Sequence, residues 1–403
     1  MSFQQGLSGL NAAAKNLDVI GNNIANSTTV GYKGSEVEFA DVFANTAGGS
    51  SGASVGIGTA VGAIKQTFGQ GNIQVTSNPL DLAINGSGFY RMETNGSVTY
   101  TRNGQFALDK NGYIVNAAGQ NLTGYPASAS GGVTSATPVP LQVSAADLAP
   151  AASTKATAGV TLDSRAGALS SAAFNLSDPT TYQGATSMSV YDSLGNQHIL
   201  SLYFVKTAAN TWDTFAANDG AQVGAGPIST LGFNSSGALT SGSTAALALP
   251  VTTGAAPISL ALDLAGTSQF GSSFGVNSLS QDGYAAGKIS GYSVGGDGII
   301  LGRYTNGQSR AQGQVVLSSF TNPQGLQSLG GNQWAEAPSS GPALIGAPST
   351  GNLGALQSGA LESSNIDLTA ELVDMITAQR VYQANAQTIK TQDSVLQTLV
   401  NMR

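Results

Sequence analysis

The sequence predicts a mainly β chain with an α-helix at each terminus and nested β domains inserted between the two helices. Three observations lead there. Apolar residues recur at heptad spacing at both ends of the chain, and such spacing is almost absent between them. Asn-Gly pairs begin at Asn85, Asn95, Asn103 and Asn111, the rhythm of successive antiparallel hairpins. Charged residues make up 9% of the chain, against about 25% in a typical soluble protein, and 53 of its 403 residues are glycine. With 41% hydrophobic residues there is still ample material for a core, so the surface must be neutral and polar.

At the N-terminal end, Phe3, Leu7, Leu10, Ala14, Leu17, Gly21 and Ile24 alternate at spacings of four and three. That is an a/d seam, widened by Ala13 and Ile20. Ser2 and Gln5 have the spacing of a capping box. Gly6, Gly9 and Gly21 each cost a helix about 1 kcal/mol relative to Ala, so this helix is marginal alone, and a partner copy is the simplest thing to order it.

Residues 80–123 alternate short strands with turns: Leu80–Ile84, Phe89–Glu93, Val98–Thr101, Gln105–Asp109 and Tyr113–Asn116. The small-residue stretch from Pro126 to Pro140 reads as a crossover loop. A second β block follows. Its clearest hairpin joins Met188–Tyr191 to His198–Val205 through a turn at Asp192-Ser193-Leu194-Gly195-Asn196, with Trp212 and Phe215 expected in the core. From Gly283 onward the first style returns, with Gly291–Val294, a turn at Gly295-Gly296-Asp297-Gly298, Ile299–Tyr304 and Gln314–Phe320. The simplest nesting places a middle domain inside a β domain, which itself lies between the terminal helices.

The C-terminal seam is longer: Leu368, Leu372, Met375, Gln379, Tyr382, Ala386, Ile389, Asp393, Leu396 and Val400. Asp367 is the expected N-cap, with Glu371 and Asp374 well placed at the positive end of the helix dipole. Asp393 is the one charged residue on that seam.

Chemistry is conspicuously thin. The absence of cysteine excludes disulfides, thiolate metal sites and cysteine nucleophiles. One histidine, His198, is expected on a strand surface and supports neither a zinc site nor a triad. Asp109-Lys110-Asn111-Gly112 lacks the full calcium-loop pattern and reads as a hairpin turn. Gly56-Ile57-Gly58 and Gly69-Gln70-Gly71 lack the context of a nucleotide loop. No catalytic, cofactor-binding or metal site is expected. A net charge of −7 without a basic patch argues against nucleic acid, and no apolar run argues for membrane insertion. The opening residues lack the pattern of a Sec signal peptide, which leaves the cytoplasm or a signal-less export route.

Several blocks resemble the flagellar rod and hook axial protein family. The N-terminal run Ser8-Gly9-Leu10-Asn11-Ala12-Ala13-Ala14 continues to Leu17-Asp18-Val19-Ile20-Gly21-Asn22-Asn23-Ile24-Ala25-Asn26 and Gly31-Tyr32-Lys33. Its motif residues are Gly21, Asn22, Asn23, Asn26, Gly31, Tyr32 and Lys33. The C-terminal run Ser358-Gly359-Ala360-Leu361-Glu362-Ser363-Ser364-Asn365-Ile366-Asp367 leads to Leu372-Val373-Asp374-Met375-Ile376, Ala378-Gln379-Arg380 and Tyr382. Leu80-Asp81-Leu82-Ala83-Ile84, Gly88-Phe89 and Tyr100-Thr101-Arg102-Asn103-Gly104 look like the family's first β domain. Chain length and the middle block point to the hook branch, with a distal rod subunit or an unrelated secreted β-rich adhesin or fibre as alternatives.

The resemblance implies an architecture and a function. Residues 1–30 and 362–403 would pair as inner-tube helices, 31–70 would be a connecting segment, 71–145 with 285–361 the first β domain, and 146–284 the outer one. The assembly seams would be Phe3, Leu7, Leu10, Ala14, Leu17 and Ile24, with Leu368, Leu372, Met375, Tyr382, Ala386, Ile389, Leu396 and Val400. The expected partners are further copies of the chain, distal rod, hook cap and hook–filament junction proteins, and the flagellar type III export apparatus. The expected role is a non-enzymatic universal joint outside the cell.

Overall fold

The computed structural model describes residues 2–42, 56–128, 131–134 and 137–401, so the tip of the connecting segment (43–55) and parts of the 126–140 loop lie outside the description. The chain forms two compact units. The first comprises Met1–Ala145, Gly291–Arg303 and Ser309–Arg403; the second comprises Ala146–Ser290 and Tyr304–Gln308.

Within the first unit, helix α1 (Ser2–Ala25) packs against helix α2 (Leu368–Asn401) and against the hairpin of β1 (Ser35–Val42) and β2 (Gly58–Gln66). Asp367 caps α2: its Oδ1 accepts from the Thr369 and Ala370 amides at 2.8 and 3.3 Å. Gln5 Nε2 donates to Gly56 O at 2.6 Å, and the expected capping box with Ser2 lies outside the described side chains.

The β body of this unit centres on the hairpin Phe89–Thr94 and Ser97–Thr101, flanked by Asn121–Pro126, Leu317–Ser319 and Gln333–Ala335. Phe89, Tyr100, Phe320 and Trp334 fill its core, ring edges meeting ring faces at 4.8–5.8 Å. The four Asn-Gly pairs turn out to do different jobs. Asn95-Gly96 alone among them has positive φ at both positions, as a type I′ turn requires. Gly104 instead permits close backbone approach: a Cβ there would sit 1.6 Å from Leu82 O. The Asn111-Gly112 turn is organised by Asp109, whose Oδ1 accepts from the Asn111 and Tyr113 amides at 2.8 and 2.7 Å.

The second unit contains two sheets sharing one core. Strands Gly184–Tyr191, Gln197–Ala208 and Thr211–Asn218 run antiparallel in a six-stranded sheet. In the five-stranded sheet, Lys155–Asp163 pairs antiparallel with Gly275–Gln281 and parallel with Ile258–Asp263 and Ser268–Phe270. Hairpin spacing cannot foretell those parallel pairs, because the six-stranded sheet intervenes in sequence. Trp212, Phe204, Leu200, Leu260 and Val160 are among the core residues. Phe215 is buried as expected, but on the opposite face of its strand from Trp212, where it stacks against Phe174 with ring centroids 4.0 Å apart.

His198 corrects the expectation, being buried and not on a strand surface. Its Nδ1 lies 2.6 Å from Asp219 Oδ2 and its Nε2 3.3 Å from Asp192 Oδ2, which also accepts from Thr253 Oγ1 at 2.6 Å. Two acceptor-only neighbours call for a hydrogen on each ring nitrogen.

Candidate functional site

Two features of the first unit concern the candidate residues: the paired helices, and the place where their chains enter the β body. Inside the subunit the helix contact lies largely beside the heptad seams, with Ile389 as a seam residue that takes part in it. On α1, the residues that touch α2 or line the groove beside it are Gly6, Gly9, Ala12, Ala13, Asn16, Val19, Ile20 and Asn23. On α2 they are Ala370, Glu371, Asp374, Thr377, Ala378, Val381, Asn385 and Ile389. Most of these stand one position before a seam residue, a rotation of about 100° around the helix axis, whereas Ala12, Val19, Ala370 and Thr377 stand two before and Ile389 lies on the seam itself.

Small side chains explain the choice of face. A Cβ on Gly6 would lie 3.1 Å from Ile389 Cγ1, and one on Gly9 would lie 2.8 Å from Asn385 Oδ1. The bulkier seam cannot approach so closely. Phe3, Leu7, Leu368, Leu372, Tyr382, Leu396 and Val400 consequently stay exposed, whereas Leu10, Ala14, Leu17, Ile24, Met375 and Ala386 are half-buried. Ile389, also half-buried, is the seam residue that reaches the partner helix through Gly6. Gly21 faces open space: a Cβ added there would have nothing within 4 Å. Asp393 is exposed and accepts from Gln397 Nε2 at 3.0 Å.

The groove beside the helix pair measures about 860 Å³ and carries Glu36, Asp367, Glu371 and Asp374 along its lining. Burial raises the Glu371 carboxyl above its usual range, opposed by the Asn23 hydrogen bond and helped by the charges of Asp374 and Glu36.

The remaining motif residues build a polar joint at the end of α1. Asn23 is buried: its Nδ2 donates to Ser35 O at 2.8 Å and Glu371 Oε1 at 3.0 Å, while its Oδ1 accepts from Ser35 N at 3.0 Å. The Tyr32 hydroxyl donates to Asn22 Oδ1 at 2.8 Å and stands 3.2 Å from Asn23 Oδ1. Asn26 Nδ2 donates back to Asn22 O at 3.0 Å, closing the helix end. Gly31, at φ +68°, passes so near Arg102 and Asn103 that a Cβ would sit 2.6 Å from the Asn103 nitrogen.

Lys33 is the surprise of the motif. It is 1% exposed, and its Nζ donates to Glu362 Oε1 and Gly69 O, both at 2.7 Å. Arg102 Nη1 donates to the other oxygen of Glu362 at 3.2 Å, and Arg102 Nη2 to Gly86 O at 2.9 Å. The Gly71 amide adds a third donor to the carboxylate, at 2.9 Å from Glu362 Oε1. Arg102 also lies over the Phe89 ring, 5.5 Å from its centroid. Burial lowers the pKa of both Lys33 and Arg102 despite the attraction of Glu362.

Arg102 and Glu362 are absent from the residues singled out on sequence grounds, although both lie inside the motif blocks. Charge scarcity is the signal that finds them. In a chain with 9% charged residues, a lone Lys, Arg and Glu in three separate motifs invite pairing.

Four family profiles match the chain in order: Flagella basal body rod protein at residues 3–33, Flagellar hook protein FlgE/F/G D1 domain at 83–170, Flagellar basal body protein FlaE D2 domain at 161–284, and Flagellar basal body rod FlgEFG protein C-terminal at 357–402. The chain is 43% identical over 412 residues to the flagellar hook protein FlgE of Salmonella typhimurium, with all of both chains covered. It is 44% identical over 412 residues to that of Escherichia coli, again covering both fully. Identity to the Borreliella burgdorferi protein is 33% over 442 residues, covering 100% of this chain and 99% of that one. In fold it is similar to the crystal structure of Helicobacter pylori flagellar hook protein FlgE2, with TM-score 0.53, 14% identity, and 72% of this chain and 100% of that chain covered.

Proposed function

This chain belongs to the flagellar hook protein family, and from that membership we propose how it assembles: the apolar stripes left uncovered on α1 and α2 are the surfaces through which its copies join into a tube. It is a structural subunit of the flagellar hook, in a family that is not an enzyme family, and the full-length matches do not favour the rod alternative. What supports the assembly reading is that Phe3, Leu7, Leu368, Leu372, Leu396 and Val400 are exposed on the two terminal helices. Covering one such side chain is worth roughly 1.5–3 kcal/mol, so a few per subunit suffice for a cohesive tube. In this reading residues 31–70 connect the helices to the β body and touch neighbouring copies. The outer β surfaces, poor in charge, slide past one another at low cost, and the tube bends while passing torque from motor to filament as a universal joint. Distal rod, hook cap and hook–filament junction proteins adjoin it, and the flagellar type III apparatus delivers it outside the cell.

Leu10→Asp and Leu17→Asp test the seam. Both side chains are half-buried on α1, and covering a carboxylate there without a partner costs several kcal/mol. The expected outcome is a monomer with an unchanged β-sheet circular dichroism spectrum that fails to sediment as polymer. Normal tubes from either variant would place the buried face elsewhere.

A further inference from the structure

The Lys33–Glu362–Arg102 cluster calls for an explanation that stability does not supply. Its three side chains are 1%, 1% and 4% exposed, and no described carboxylate other than Glu362 lies within ion-pair distance of either cation. Replacing a buried ion pair with apolar side chains of similar size is often neutral or stabilising, so cohesion alone would favour leucines and methionines here. What a cluster of directed hydrogen bonds supplies, and an apolar patch does not, is a single geometry.

The connectivity indicates which geometry is at stake. Lys33 stands on the segment that leaves α1 and enters β1. Glu362 ends the strand Ala360–Glu362, six positions before the start of α2. Arg102 follows the central strand Ser97–Thr101 of the β body. Both routes from the helices into the β body are therefore tied at one carboxylate. Backbone bonds reinforce the tie: Gly31 N donates to Glu362 O at 2.8 Å, and Ser363 N to Asn72 O at 2.8 Å. Asn365 completes it, accepting from Gly34 N at 2.9 Å and donating to Thr67 O at 2.8 Å.

We propose that Lys33, Glu362 and Arg102 are positioning residues that fix the direction in which the helix pair leaves the β body, and through it the curvature and repeat of the assembled tube. The inference rests on the tube reading given above. A subunit in which this joint slips still folds and still presents its seam, but it presents that seam at a different angle to the β body. In a polymer, every subunit repeats that angular error.

The test uses Lys33→Met and Arg102→Met, each of which leaves a neutral ion pair with Glu362. Lys206→Met serves as the control. Lys206 is a buried lysine of the second unit, held by the Ser164 and Ala166 carbonyls and remote in sequence from the joint. Tubes of the full-length chain are imaged for curvature and subunit repeat, and the melting temperature of each monomer is recorded. The expected result is folded monomers for both joint variants, whose tubes shift in mean curvature or repeat beyond the wild-type spread. Lys206→Met should lower the melting temperature and leave the tube unchanged. Wild-type tube geometry from both joint variants would overturn the proposal. So would failure of both to fold, which would make the cluster a stability element. Absence of tubes from the unaltered chain would instead overturn the assembly reading, and this inference with it.

Discussion

His198 illustrates how one side chain can set the pH range of a domain. Burial pulls its pKa down, but hydrogen bonds to Asp219 and Asp192 outweigh that, and the net shift is upward. The bond to His198 holds the Asp219 carboxyl below its usual range. Asp192 is also lowered: burial would raise it, but bonds from Thr253, Asn196 and His198 prevail. A raised histidine pKa stabilises the fold fully below the unfolded value of about 6.5, and that stabilisation is lost as pH rises through the folded value. The lowered carboxylates work in the other direction, contributing above about pH 4 and losing that contribution as acid protonates them. The second unit should therefore be most stable between those limits. A charge-assisted bond of about 1–2 kcal/mol corresponds to roughly 2–8 °C for a unit of this size. We expect its melting temperature to fall by that order between pH 6 and pH 9, and the fall to vanish in His198→Asn. An equal fall in the variant would assign the pH dependence to other groups.

At the level of the element, α1 has two working faces that its glycines separate. Gly9 lies on the inner face against Asn385, whereas Gly21 lies on the outer stripe facing open space. Gly9→Leu should displace α1 from α2 and reduce the monomer's helical signal, because a side chain of that size has no room there. Gly21→Leu should raise helicity slightly, by the roughly 1 kcal/mol a glycine costs an exposed helix, and yet impair polymerisation by occupying space meant for a neighbour. Circular dichroism of the monomer and sedimentation of the polymer separate the two effects. Unimpaired tubes from Gly21→Leu would show that no neighbour approaches this stretch of α1. The periodicity in the sequence located both helices but not the face each turns inward. The heptad pattern tracks the largest apolar side chains, while Gly6, Gly9 and Ala13, one position away on α1, lie toward α2 or the groove beside it.

For the whole molecule, the buried joint predicts where order ends in the free subunit. Terminal helices that are marginal alone, as the glycines of α1 predict, would leave a protease-resistant core of roughly residues 70–360. The burial of Tyr32 and Lys33, and the bonds of Gly31, Gly34 and Asn365, move those limits outward. Limited proteolysis of dilute monomer should fray the free ends of α1 and α2 first and cut no further inward than Asn26 and Ile366. A core that begins near Gly71 instead would show that the joint is open in solution. Sequence by itself determined the helices at both ends, the β character between them, the Asp367 cap and the motif blocks, because each is written in local spacing or short-range turn chemistry. Only the tertiary structure decided that the Glu362 carboxylate gathers Lys33 and Arg102, that His198 is enclosed by Asp192 and Asp219, and that Phe215 is buried against Phe174. These depend on contacts between residues as far apart as Lys33 and Glu362, whose meeting is set by how sheets and helices pack and leaves no periodic trace along the chain.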